Sequence, residues 1–367
     1  MKILAILHIP PPVHGSSMVG QYIKDSNIIN KSFDSRYVNL GTSTSMDEIG
    51  KNPLRKISRY LFILWQVFVQ LLKFKPSLCY FAITVKGLGF YKDALVALLV
   101  KAFGIKLVFH FHNKGVSTRQ NHWFDNLLYS IVFRNSEVIL LSEYLYLDIR
   151  KYFTKEQIHY CPNGIPEKTR RQKTKDKRHK TEILFLSNLI ESKGVFVLLA
   201  ACKLLQEKEL LFHCTFIGGE SNVTAKLFHQ KIKELNLYNS VDYIGRKYGA
   251  EKDEAFAKSD IFAFPTYYYN ECFPLVLLEA MQFSLPIIST FEGGIPDIVK
   301  NGETGFLVQQ KDVIALAEKL EFLIKNKVLR EEMGSNGRLR YEQYFTLKHF
   351  ENNLTNILNK CISKQTD

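Results

Sequence analysis

Residues 270–281 read Asn-Glu-Cys-Phe-Pro-Leu-Val-Leu-Leu-Glu-Ala-Met, with seven residues between the carboxylates Glu271 and Glu279. Pro274 disfavours a helical Phe273 and suits the first position of a helix, so a helix is expected from Pro274 with Glu271 in the loop before it. Leu275 to Leu278, Ala280 and Met281 cover nearly every azimuth, which predicts a helix buried all round. Glu279 would then need an internal partner or the hydroxyls of a ligand, because an unpaired buried carboxylate is costly. The amino end of the same helix offers the N–H groups of Leu275 and Val276 and a positive dipole end, which together suit a phosphate. The plainer alternative makes both acids capping and salt-bridging groups. Elsewhere, His110-Phe111-His112-Asn113 closes an apolar run and puts two imidazoles on one strand face.

The elements that must carry these groups follow from the hydrophobic pattern. Short apolar runs alternate with longer stretches of helical period, the signature of βαβ units and parallel sheets. In the first half, strands are expected at Ile3–Ile9, Ser77–Ile83, Ile105–Phe111, Glu137–Leu141 and Gln157–Cys161. Helices are expected near Ser16–Lys24, Arg59–Lys73, Tyr91–Phe103 and Tyr144–Tyr152. A run of Lys and Arg over 168–180 cannot bury itself and reads as a solvated linker. The pattern restarts at Thr181–Leu186, followed by Phe212–Ile217, Ser240–Ile244, Asp260–Phe264 and Pro286–Ser289, with helices including Val195–Gln206, Thr224–Leu235, Asp312–Lys325 and Leu347–Lys360. The expected architecture is α/β: two doubly wound Rossmann-like domains, 1–165 and 181–344, a basic linker at 166–180, and a terminal helix 345–367 packing back on the first domain. Ligands of such sheets sit outside the carboxyl ends of the strands, and the cleft between two such domains is the expected site.

Composition narrows the class. The 367 residues are 46% hydrophobic with 27 Phe and 18 Tyr, which excludes a disordered chain. Six scattered cysteines without a CxxC pair suggest neither a disulfide framework nor a structural zinc site, and fit a reducing cytoplasm. The amino terminus reads as a first strand rather than a leader, and no apolar run is long enough to span a bilayer. Net charge is +13, and residues 1–165 alone carry +10. Such a surface attracts nucleic acid, an anionic membrane or a phosphorylated substrate, although no nucleic-acid module is recognisable. The segment 55–75 is unusually apolar with basic ends. It reads either as a core helix or as a helix lying in a membrane interface.

Taken in order, these pieces resemble the retaining glycosyltransferases of family 4, whose fold is GT-B, two Rossmann-like domains facing across a cleft. The two glutamates match the family's spaced pair. Pro11 to Ser17, His110 to Asn113, Pro162-Asn163-Gly164-Ile165, Lys193-Gly194, Ile217-Gly218-Gly219, Ile261 to Thr266, Gly293 to Val299 and Gly305 to Val308 are similar to family segments in the same order. The resemblance implies a sugar transfer from a nucleotide-diphosphate sugar to a glycan or lipid-linked glycan, as in bacterial capsule, O-antigen or exopolysaccharide assembly.

By the same resemblance Glu279 takes the ribose hydroxyls, and Glu271 meets the donor sugar near its anomeric carbon. Leu275 and Val276 with Lys193 hold the diphosphate, helped by Asn188, Phe273 and Gly218. His112 is taken to sit under the sugar, with His110 on the same strand face as the open alternative, and His14, Gly15 and Ser16 form the acceptor or phosphate loop. No metal and no further cofactor is implied, and the expected location is the cytoplasm, peripherally at the inner face of the membrane. Two positions depart from the family. Ser187-Asn188 replaces its usual Gly-Arg and removes a fixed cation, so that either Asn188 donates a neutral hydrogen bond in its place or another cation such as Arg246 moves in, and Pro274 replaces a frequent Gly. The missing cation favours the alternative of a catalytically silent nucleotide-sugar-binding subunit.

Overall fold

A computed structural model describes residues 1–41, 53–168 and 180–363. Most of the basic run, and most of the loop following Gly41, lie outside the described residues. The chain divides into two units: Met1–Gly164 together with Leu347–Asp367, and Ile165–Thr346.

The first unit is built on a six-stranded sheet of order β2-β1-β3-β4-β5-β6. Its strands are β1 (Lys2–Leu7), β2 (Asp34–Asn39), β3 (Leu78–Phe81), β4 (Lys106–Phe111), β5 (Glu137–Leu140) and β6 (Ile158–Tyr160). Every neighbouring pair is parallel. Strand β2 escapes the sequence pattern because it is a half-exposed edge strand, Asp-Ser-Arg-Tyr-Val-Asn, with Val38 alone of its residues buried. The expected helix Tyr144–Tyr152 is instead a 3-10 turn, Glu143–Leu145, and a single turn, Tyr146–Ile149. Because the chain turns back between β2 and β3, right-handed crossovers put the helices Pro53–Lys73, Gly87–Ala102 and Trp123–Phe133 on one face of the sheet. The carboxyl-terminal helix Leu347–Ser363 belongs to this unit and buries Phe350, Leu354, Leu358 and Cys361.

The second unit has the order β12-β11-β10-β7-β8-β9, again wholly parallel. These strands are β7 (Thr181–Leu186), β8 (Phe212–Ile217), β9 (Val241–Tyr243), β10 (Ile261–Ala263), β11 (Ile287–Thr290) and β12 (Gly305–Val308). The order reverses between β7 and β10, so the loops leaving those two strands open a crevice at their carboxyl ends. The helix Lys327–Tyr344, absent from the sequence expectation, is polar on most of its surface and buries only Met333, Gly334, Gly337 and Tyr341. Tyr341 donates a 3.0 Å hydrogen bond to the Ile165 carbonyl, tying the start of this unit to its last helix.

Candidate functional site

In the second unit the groups singled out from the sequence gather at the reversal point. The loop after β7 carries Asn188 and ends in a 3-10 turn, Glu191–Lys193; the loop after β10 carries Glu271. Lys193 forms an ion pair with Glu271, both side chains close to nine-tenths buried. The Lys193 ammonium also lies 4.5 Å from the centre of the Tyr268 ring and 5.5 Å from that of Phe264. A cation caught between two aromatic faces and a carboxylate has few alternatives, so its position is well defined. The Glu271 loop is itself held by close backbone packing. A Cβ on Gly293, whose φ is +54°, would stand 2.1 Å from the Glu271 carbonyl, and Gly294 N–H donates to the Cys272 carbonyl at 2.6 Å.

The helix after this loop spans Leu275–Gln282, with Pro274 as its cap rather than its first residue. It is not buried all round. Leu275, Val276 and Glu279 are partly exposed on one side, while Leu277, Leu278, Ala280 and Met281 enter the core. The expected all-round burial is therefore corrected, and of the two expected ways to satisfy Glu279 the internal partner is present: its side chain keeps 19% of its exposure, and Lys252, from the helix Gly249–Lys258, pairs with it at 2.5 Å. Nothing in the sequence pattern marks Lys252, because it lies on a mostly exposed helix far from Glu279 in sequence. Phe273 is 5% exposed, and its ring packs edge-on against Phe345 at 5.8 Å.

Asn188 is exposed, and its side-chain oxygen Oδ1 accepts from Gly219 N–H at 3.3 Å. Gly218 is required by the fold itself, since a Cβ there would stand 1.7 Å from the Ser187 carbonyl. Arg246 lies against Gly219, where a Cβ would meet its Nε at 2.0 Å. A guanidinium thus reaches the same turn as Asn188.

In the first unit, histidines collect at the carboxyl ends of β1 and β4. His110 is fully buried, its Nδ1 2.6 Å from the Tyr80 hydroxyl. His112 is half-buried, and its ring centre lies 4.2 Å from that of His110. Of the two, His112 is the more accessible. Burial, reinforced by His8 and His14, pulls the His112 pKa down to about 3. Burial with His14 and Lys92 nearby brings His8 down to about 4. These imidazoles are neutral hydrogen-bonding groups at neutral pH. His14 caps the helix Gly15–Asp25: its Nδ1 accepts from Ser17 N–H at 3.3 Å and lies 3.0 Å from the Ser16 hydroxyl. Among the described residues, a Cβ at Gly15 would meet nothing within 4 Å beyond its chain neighbours and its own helix backbone, so space is open there. His8 and Tyr80 were not anticipated from sequence. His8 ends the first apolar run, which is the signal that could have found it.

The helix Pro53–Lys73 turns Ile63, Val67 and Leu71 into the core, so it is neither wholly a core helix nor wholly a surface one. Its outer side leaves Leu61, Phe62 and Trp65 exposed. The adjoining helices on the same face add Leu88 at 80% exposure and Trp123 at 77%. These helices touch through Phe68 with Phe103 and Tyr91 with Phe124, both at 5.8 Å between ring centres.

Residues 166–340 match the family model described as glycosyl transferases group 1. The chain is 31% identical over 165 residues to the capsular polysaccharide biosynthesis glycosyltransferase CapM of Staphylococcus aureus, covering 44% of this chain and 41% of that protein. It is 29% identical over 240 residues to the amylovoran biosynthesis glycosyltransferase AmsK of Erwinia amylovora, covering 62% and 58%. This chain therefore spans only about half the length of the curated relatives it matches. Among solved structures, Anabaena Alr3699/HepE in complex with UDP and glucose superposes with a TM-score of 0.73 at 18% identity, over 98% of this chain and 99% of that one. At that identity the likeness speaks for the fold, the two-domain GT-B arrangement.

Proposed function

We propose that this chain, whose residues 166–340 match the model of the group 1 glycosyltransferases, is a member of that family and moves a sugar with retention from a nucleotide-diphosphate donor to a glycan or lipid-linked glycan in bacterial surface polysaccharide assembly. The observation that carries the reading is the Lys193–Glu271 pair at the reversal point of the second sheet, with Glu271 in the loop that leads into the partly exposed amino end of the helix Leu275–Gln282. Lys193, the Leu275 and Val276 N–H groups and Arg246 would hold the diphosphate. Negative charge builds on that group as the sugar leaves, so fixed donors favour the transition state over the ground state. This arrangement calls on no metal. Arg246 answers the departure at Asn188, because it brings a guanidinium to the turn from which the family's arginine is missing.

In this reading Glu279 exchanges the Lys252 ammonium, or shares it, with the ribose hydroxyls, and Glu271 sits beside the transferred sugar. In the first unit, His112 is assigned to a sugar hydroxyl and the His14-Gly15-Ser16 loop to the acceptor. Relatives from capsule and amylovoran biosynthesis support the polysaccharide setting, and neighbours solved with UDP support a nucleotide-sugar donor. The exposed apolar side of three helices in a unit rich in basic residues supports docking at an anionic membrane surface, where a lipid-linked acceptor would reside.

Turnover of a panel of nucleotide sugars in the presence of membrane extract tests the reading. Release of nucleoside diphosphate with incorporation of sugar into a lipid or glycan fraction is expected. Tight nucleotide binding without any transfer would instead support a silent binding subunit, which the exposed Asn188 in place of arginine favours.

A further inference from the structure

Three chemically different donors converge in the first unit, away from every group assigned above. Glu137 opens β5 and His159 lies in β6. With Ile139 opposite His159 in the parallel register, both side chains project from the same face of the sheet. Cys361, near the end of the helix Leu347–Ser363, covers that face. His159 Nε2 lies 3.0 Å from Glu137 Oε2 and 3.5 Å from Cys361 Sγ, and all three ligand atoms fall within 4.8 Å of one another, each residue buried. One ring nitrogen thus faces a carboxylate and a sulfur together. It carries at most one hydrogen, so a donated bond can serve one of them at a time. A metal ion in place of that hydrogen would accept a lone pair from nitrogen, oxygen and sulfur at once.

We propose that Glu137, His159 and Cys361 form a structural zinc site that pins the carboxyl-terminal helix to the edge of the first sheet. Bonds of about 2.0 Å to nitrogen and oxygen and about 2.3 Å to thiolate put tetrahedral ligands roughly 3.2–3.6 Å apart, close to the two separations involving His159. Binding releases the thiol proton of Cys361 to solvent, and water completes the fourth position. The carboxylate and thiolate together balance the charge of the ion. Lys106 is the competitor. Its ammonium lies 3.5 Å from Glu137 Oε1 and donates to the Cys361 carbonyl at 3.0 Å, so in the zinc form it must withdraw toward solvent.

The test uses the full chain, stripped with chelator and then given Zn²⁺ or Co²⁺ alone. One equivalent of zinc should bind and raise the melting temperature. Cobalt should give thiolate-to-metal charge-transfer absorption, which histidine and carboxylate ligands do not produce. Cys361→Ser should abolish the absorption and the thermal shift, Cys79→Ala should keep both, and Lys106→Met should tighten zinc binding by removing the competing cation. Failure of the wild-type chain to bind zinc or to show the cobalt band overturns the proposal, leaving an ion pair of Lys106 and Glu137 bridged to His159. Equal metal binding by Cys361→Ser overturns it as well, and points to the histidines around His112. Absence of the cobalt band in the wild-type chain overturns the proposal whether or not Cys361→Ser folds.

Discussion

Lys252 Nζ lies 2.5 Å from Glu279 Oε1, and neither side chain is fully buried. The carboxylate is thus already satisfied before any ligand arrives, yet it remains reachable from solvent. If Glu279 receives ribose hydroxyls, Glu279→Ala should weaken nucleoside diphosphate binding by about 10- to 100-fold, the range for a charged hydrogen bond. Lys252→Met should leave that affinity within a few-fold, since the carboxylate survives. Calorimetric titration of both variants checks this. Equal affinity in wild type and Glu279→Ala would reduce the pair to a structural salt bridge.

Lys193 predicts a different pattern. Its ammonium is held by Glu271 and two aromatic rings, and the proposal has it act on charge that develops as the donor bond breaks. Lys193→Ala should lower kcat by about 10²–10³-fold, as for loss of one fixed donor to an oxyanion, with a much smaller change in donor KM. Steady-state kinetics with the identified donor separates the two. A change confined to KM would make Lys193 a binding group only.

Arg246 should reveal itself through the phosphates and not the nucleoside. Arg246→Ala is expected to remove much of the advantage in affinity that a nucleoside diphosphate has over the bare nucleoside, while leaving nucleoside binding unchanged. Comparative titration with the two ligands measures that difference. An unaltered ratio would mean that Asn188 alone occupies the missing arginine's place.

The histidines predict how stability responds to acid. The pKa values of His8 and His112 are lowered in the folded chain, to about 4 and about 3, with burial the leading cause for each. The unfolded chain therefore binds protons more readily between pH 6.5 and those values. Stability from these groups is fully present above pH 6.5 and is lost progressively as pH falls toward 4. Denaturant melts between pH 7.5 and 4 should show the decline, and His8→Gln should make it shallower. An identical slope in the variant would remove His8 from the account.

The apolar helix face carries its own prediction. Leu61→Glu with Trp65→Glu places charges at positions about three-fifths exposed, so the fold should tolerate them. Co-sedimentation with anionic vesicles at low salt should fall sharply, and turnover with a water-soluble acceptor should persist. Retention of vesicle binding in the double variant would shift attention to the basic residues alone.

Residue order was enough to determine the alternation of strands and helices, the restart of the pattern at Thr181, and the family segments around Glu271, because period and loop chemistry are local properties of a chain. Edge strand β2 and the polar helix Lys327–Tyr344 escaped that pattern, since each buries too little to leave a strong period. Only the tertiary structure decided that Glu279 meets Lys252, that Phe273 turns inward to Phe345, and that Arg246 reaches Gly219. It likewise brought Glu137, His159 and Cys361 together across more than two hundred residues. Such meetings depend on strand order and helix packing, and side chains far apart in sequence carry no local sign of their partners.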